Sequence, residues 1–140
     1  MWWSAQQVRD RFADSRVARL ATTDANAQPH VVPVTFAVHE DTDTIAIGID
    51  HKPKRTHNLK RLSNIAENPR VSLLVDDYTE DWDQLWWARA DGTARVELDG
   101  TAWHDALDWL IARYAQYRQQ PPVGPMILVT VHRWSGWSAR

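Results

Sequence analysis

The chain has 140 residues, a hydrophobic fraction of 44%, a charged fraction of 24% and a formal net charge of -2, which points to a single globular domain over residues 1–140 and excludes a disordered tail or a fibrous array. Without a single Cys it offers no disulfide, thiolate metal site or cysteine nucleophile. No apolar run approaches the ~18 residues that span a bilayer, "MWWSAQQVRDRF" lacks the pattern of a secretory leader, and the balance of charge is not that of a nucleic-acid binder, so a cytoplasmic protein with neither membrane nor nucleic-acid partner is expected.

Ser4 caps a predicted helix to about Ala13, with Val8 and Phe12 one turn apart on its inward face. "RVARLATT" (16–23) reads as a strand, "DANAQP" (24–29) as turn material and "HVVPVTFAV" (30–38) as a second strand. Pro33 cannot donate to a ladder, so that strand must lie at an edge or carry a bulge, with backbone free to meet something other than a strand. "TIAIGI" (44–49) is a third strand, whose Gly48 lets another group come close to the backbone. Thr56 then caps a helix with Leu59, Leu62 and Ile65 on one stripe, closed by Asn68-Pro69. "RVSLLVD" (70–76) is a fourth strand, nearly all apolar and so expected well inside the sheet.

Residues 84–98 form either a hairpin turning at Asp91-Gly92 or one long strand kinked there. Thr101 opens a helix carrying Trp103, Leu107, Leu110, Tyr114 and Tyr117 at helical spacing, with Asp105 and Asp108 early and Arg113 and Arg118 late, the order that suits the helix dipole. "QQPPVGP" (119–125) ends it, and "MILVTVHRW" (126–134) is a last strand before the tail "SGWSAR". Strands with a few helices between them describe an α+β or small-barrel domain rather than a doubly wound one.

The stretch "DHKPKRTHNLKRL" (50–62) holds five of the sixteen Lys and Arg residues. Lys52, Lys54 and Arg55 stand just before the predicted helix start, where the partial positive charge of a helix N-terminus opposes each by roughly 0.3–1 kcal/mol. An anion reverses the sign of every one of these terms, so the stretch reads as a phosphate site, with a solvated charged loop as the alternative. Lys60 and Arg61 lie further along, away from the leucine stripe, and read as surface charges. The glycines and the Lys-Ser/Thr pair of a Walker loop are missing. His51 and His57 make a poor metal pair without a third ligand, and no metal is expected. The acidic run Asp76, Asp77, Glu80, Asp81 and Asp83 reads as a solvated loop.

In the order of its blocks, "RVARLATT…QPHVVPVTF…IGIDHKPKRTHNLKRLSNIAENPRVSLLV…DWDQLWWARADGTARV…RWSGW", nearly the whole chain resembles the flavin and deazaflavin oxidoreductases of the split β-barrel superfamily, also called pyridoxamine-phosphate-oxidase-like. Within that superfamily it is most similar to the actinobacterial group dependent on coenzyme F420. The resemblance implies a mainly β fold with flanking helices, a six-stranded split β-barrel (the FMN-binding split barrel), in a homodimer that shares cofactor sites across its interface. It implies that His30, Val32, Pro33, Val34 and Thr35 line the ring pocket. It also implies that His51, Lys52, Lys54 and Arg55, with Ile49 and Asp50 leading in, grip the cofactor phosphate. Trp86, Trp87 and Trp137 are candidates for the partner's contribution, core packing being the other reading, while Trp103 and Trp109 are assigned to helix packing. The family's long strand with a glycine near its middle favours the kinked reading of residues 84–98.

True pyridoxamine phosphate oxidases close with an Arg-Leu-His-type motif that "RWSGWSAR" lacks, so oxidation of pyridoxine phosphate is not expected, and the tail is left to cover the ring. The expected function is hydride transfer from F420H2 to a small or flat conjugated substrate. The alternative is an FMN-binding oxidoreductase, or an FMN- or ligand-binding protein of the same fold. The cations exceed what one phosphate needs, which favours F420, whose phosphodiester leads on to lactate and several glutamates; Arg16, Arg19 or Lys60 would extend the track. No catalytic acid or base is assigned, although His30 and His51 stand nearest the predicted ring and phosphate.

Overall fold

The computed structural model describes residues 1–49 and 56–140, with side chains from residue 60 onward in the second stretch. Helix α1 (Ala5–Asp14) begins with a reciprocal box in which Ser4 Oγ accepts from Gln7 N at 3.2 Å and Gln7 Oε1 accepts from Ser4 N at 2.8 Å. Its apolar stripe is fully used, since Val8 and Phe12 are both at 0% exposure.

Seven strands follow: β1 (Ala18–Thr23), β2 (Pro29–Val34), β3 (Ala37–His39), β4 (Thr44–Gly48), β5 (Arg70–Asp77), β6 (Trp86–Glu97) and β7 (Met126–Ser138). They form one antiparallel sheet in the order β2-β1-β5-β6-β7-β4-β3. The outermost strands, β2 and β3, are consecutive in the chain and separated only by Thr35 and Phe36, so the sheet must curl until its two edges share that corner. Helix α2 (Thr56–Glu67) leads into β5, and α3 (Gly100–Arg113) and α4 (Ala115–Gln119) lie between β6 and β7. Among the described residues no helix is long and apolar enough to cross a membrane.

The expected count of six strands becomes seven because the stretch 30–38 is interrupted. At the break Tyr114 Oη lies 3.0 Å from Phe36 N, 2.9 Å from Phe36 O and 2.9 Å from Arg16 O. The tyrosine thus takes the backbone groups that a continuous ladder would have used. The same residue corrects a second expectation, that one helix runs on to Arg118. Tyr114 is extended (φ -116, ψ 123) and 8% exposed, so α3 stops and α4 begins beyond it.

Residues 86–97 are one strand, as the kinked reading required. Asp91 faces Arg133 but Gly92 faces Val131, so His132 is the extra residue of a bulge on β7. A Cβ on Gly92 would meet Thr130 O at 2.2 Å, which explains why glycine stands there. Gly48 likewise lets Leu110 and Pro122 approach to 3.2 and 3.3 Å of a Cβ position. The tail is not a free flap: β7 continues to Ser138 and is held by the first residues of the chain, with Trp3 N donating to Gly136 O and Ser138 N to Met1 O, each at 3.0 Å.

One face of the sheet closes on a core of Val8, Phe12, Leu20, Phe36, Ile45, Ile47, Leu73, Ile127 and Val129, which Leu62 and Ile65 of α2 help to cover. On the other face, α3 and α4 bury Ala46, Met126 and Leu128 under Ala106, Leu110, Tyr114 and Tyr117. That cover stops at the bulge. Beyond it the outward face of β2, β1, β5, β6 and the end of β7 leaves Val31 at 61% and Leu74 at 36% exposure.

Helix α1 is tied to the sheet by Asp43, a residue in the left-handed region (φ 50) whose carboxylate accepts from Arg9 Nε at 2.8 Å and Trp134 Nε1 at 3.1 Å. The Arg9 hydrogen bond foremost, helped by Trp134, holds this carboxyl below the ordinary carboxylate range, and Arg9 is raised in turn.

Candidate functional site

β2 is a terminal strand of the hydrogen-bonded order, so among the described residues one of its two backbone edges is without a strand partner, and Pro33 sits on such an edge strand, where a residue without an N–H is tolerated. Its side chains divide by parity. Pro33 faces outward and is exposed, opposite Arg19 of β1. His30, Val32 and Val34 face inward opposite Thr22, Leu20 and Ala18, and Val34 is only 5% exposed within the core. A flat ring against β2 would therefore meet its free backbone edge and Pro33 rather than the Val34 side chain. Ile49, just after β4, is also core, at 5% exposure.

His30 is the polar member of the inward row. Its cross-strand neighbour Thr22 is 1% exposed and accepts from Asn64 Nδ2 of α2 at 3.0 Å. Among the described residues, His30 Nδ1 and Asn64 Oδ1 are buried without a hydrogen-bond partner. Leaving such atoms unpaired costs about 1–3 kcal/mol each. An orphaned nitrogen on the strand that also carries a free backbone edge fits a ligand with polar ring atoms, which is what a flavin or deazaflavin presents. Asp50, His51, Lys52, Lys54 and Arg55, the predicted phosphate grip, lie outside the described residues. Of the cations next to them, Lys60 pairs with Asp24 at 3.6 Å and Arg61 is half-buried rather than a plain surface charge. Arg19 is engaged by Asp76 at 3.6 Å.

Thr35 leads into a feature that the sequence did not announce. At the β2–β3 corner a cavity of about 610 Å³ is lined by Arg16, Thr35, Arg113, Tyr114, Tyr117 and Arg118, with Ala115 and Gln116. Thr35 Oγ1 and Tyr117 Oη are 2.7 Å apart. Arg113 braces the wall by donating to the carbonyls of Ala13 and Ser15, and its guanidinium stands 5.2 Å from the Phe36 ring centroid. The available signal was the choice of Tyr over Leu at positions 114 and 117: a buried phenol needs a polar partner, and here those partners shape the corner.

The tryptophans separate cleanly. Trp86 turns to the core side, with Trp3 at 5.8 Å and Arg11 over its ring at 4.7 Å. Trp87 and Trp137 are directly opposite each other on the outward face, both half-buried, with Trp2 edge-on to Trp87 at 6.0 Å. Trp103 and Trp109 pack on the α3 layer as expected, and Trp109 stacks on His39 at 4.4 Å. The acids Asp76 and Asp77 end β5 and are exposed, as are Glu80, Asp81 and Asp83.

Known proteins share this architecture. A conserved hypothetical protein of Mycobacterium tuberculosis superposes with a TM-score of 0.75 over 99% of this chain and 86% of its own, at 23% identity. An FAD-binding protein of Mesorhizobium loti does so with a TM-score of 0.73 over 97% and 93%, at 20% identity. At such identities these two speak for the fold alone. The 5a,11a-dehydrotetracycline/5a,11a-dehydrooxytetracycline reductase of Streptomyces rimosus is 43% identical over 60 residues, a stretch spanning 42% of this chain and 39% of that protein. The sequence pattern of pyridoxamine 5'-phosphate oxidase matches residues 4–138, from the cap of α1 to the end of β7. With that match running through every strand of the curled antiparallel sheet, the chain belongs to the pyridoxamine 5'-phosphate oxidase family.

Proposed function

We propose that the protein is an oxidoreductase that holds a flavin-type cofactor, FMN in the first instance, against β2 and uses it to reduce a flat, conjugated organic substrate. The observation that carries this reading is the edge of β2, where free backbone, Pro33 and the orphaned His30 Nδ1 occur on one strand that ends at the Thr35 cavity. A bound reduced flavin supplies hydride to an electron-poor carbon. What the chain supplies is placement: β2 and Thr35 present one side of the ring, and the cationic stretch Lys52, Lys54 and Arg55 grips the phosphate. His30 is a hydrogen-bonding partner for a polar ring atom. A substrate of fused conjugated rings is supported by the reductase of Streptomyces rimosus, whose substrates are dehydrotetracyclines.

The cofactor site is completed in a homodimeric split barrel. This part of the reading is supported by the outward face on which Val31, Leu74, Trp87 and Trp137 lie uncovered or half-buried. Coenzyme F420 is the second reading, favoured by one specific feature: the cations at 52–55 outnumber what a single phosphate requires.

The test is a tryptophan-quenching titration of the purified protein with FMN and, separately, with F420. Saturable quenching by FMN at tens of micromolar or below is expected, and Lys54→Ala should weaken it by roughly 1.5–3 kcal/mol. Saturation by F420 alone transfers the reading to the deazaflavin. No response to either cofactor overturns it.

A further inference from the structure

We propose that the cavity at the β2–β3 corner binds the carboxylate of an organic acid with an apolar or aromatic body, through Arg16, Arg113 and Arg118. These arginines come from separate parts of the chain: the loop after α1, the last turn of α3, and α4. The guanidinium carbons of Arg16 and Arg113 stand 5.9 and 5.5 Å from the centroid of the same Tyr114 ring. Arg118 Nη1 is anchored on the turn before, 3.1 Å from Ile111 O.

Arg11, Arg70 and Arg133 also have no ion pair among the described residues, so what marks Arg16, Arg113 and Arg118 out is that all three line one cavity whose described wall carries no acid. Arg9, Arg19, Lys60, Arg89, Arg95 and Arg140 each have a carboxylate within 3.6 Å. Among the described residues no acid pairs with Arg16, Arg113 or Arg118, whose named partners are all main-chain carbonyls or the Tyr114 hydroxyl. A guanidinium carries five donors in a planar fork, so donors remain on Arg16 and Arg118 after these bonds. Three like charges around one concavity repel one another, a cost that the C-terminal dipole of α3 offsets only in part. A carboxylate cancels the repulsion and matches the fork geometry.

The rest of the lining selects the body of the ligand. Tyr114, Tyr117 and Ala115 provide apolar wall, the Thr35–Tyr117 hydroxyl pair provides one neutral polar contact, and about 610 Å³ accommodates a molecule of a few rings. Because the cavity lies at the end of β2, the acid is a substrate group in the reaction proposed above. That role rests on the oxidoreductase reading; the binding itself does not.

The experiment compares 2-naphthoate with the uncharged 2-naphthamide on the full chain without added cofactor, by calorimetry or ligand-observed NMR. The acid is expected to bind roughly ten-fold or more tightly than the amide. Arg118→Gln, which keeps a hydrogen-bond donor but not the charge, should lower naphthoate affinity about five-fold or more, and Arg16→Gln likewise, with melting temperatures little changed. Equal binding of acid and amide, or naphthoate affinity unaltered in the Arg16→Gln/Arg118→Gln double variant, overturns the proposal. A protein that binds FMN but treats acid and amide alike loses this site and keeps its oxidoreductase reading; one that prefers the acid yet binds neither cofactor keeps the site and loses that reading. Displacement of naphthoate by F420, but not by the same deazaflavin without its glutamyl tail, assigns the carboxylate to the cofactor. Simultaneous binding of both assigns it to the substrate, and the site is upheld in either case.

Discussion

Asp43 shows how much one carboxylate can organise. It joins α1 through Arg9 and β7 through Trp134, while its own carbonyl accepts from Val131 N at 2.9 Å. Its folded carboxyl titrates below the ordinary value of 3.8. The stability it adds is therefore complete above that value and is lost as pH falls through the lower folded value. With the Asp43 side chain 39% exposed, solvent screening limits the contribution to about 1 kcal/mol. Asn tolerates the left-handed backbone here, so Asp43→Asn should reduce the urea midpoint at pH 7, and the difference should shrink as pH falls from 3.8 through the lower folded value; a difference that stays constant across an acid titration would remove the assignment.

At the level of elements, the bulge facing Gly92 decides the path of β6 and β7 together. Gly92→Ala drives a methyl group into Thr130 O, and because that neighbour is backbone it cannot step aside. A loss of roughly 2–4 kcal/mol in denaturant unfolding is expected, against little for Gly124→Ala, where nothing lies within 4 Å of the added carbon. Asp91-Gly92 also shows the limit of reading elements from sequence. The dipeptide is a turn signal by its own chemistry, and only its cross-strand partners make it a bulge. Apolar periodicity was enough to find α1, α2 and six strand regions, but not the break that splits 30–38 into β2 and β3 or the continuation of β7 to Ser138. It carried the helix through Tyr114, where spacing is helical but the hydroxyl is needed at Phe36 and Arg16. The cationic stretch 50–55 is visible as composition, being local. Arg16, Thr35, Arg113 and Arg118 are far apart in the chain, and nothing but the fold brings them to one cavity.

For the whole molecule, the uncovered outward face is the feature with the largest consequence for assembly. If it is the seam of the proposed dimer, Val31→Asp or Leu74→Asp places a charge where two copies would meet, while in a lone copy the same side chain stays in water. Size-exclusion chromatography with light scattering should show a species of about twice 16.2 kDa become one of 16.2 kDa, with the fold retained by circular dichroism; dimers that survive both substitutions place the seam elsewhere. The pairing order has a further effect during synthesis. β7 is the partner of both β6 and β4, and it is also where Trp2 and Trp3 attach. Until β7 has left the ribosome, β4 has only β3 beside it, and the first residues lack the strand to which their backbone bonds. A nascent chain of this protein therefore carries the β7-facing edge of the apolar β4 unpaired until β7 emerges, so its yield in cells should depend on chaperones that shield that edge.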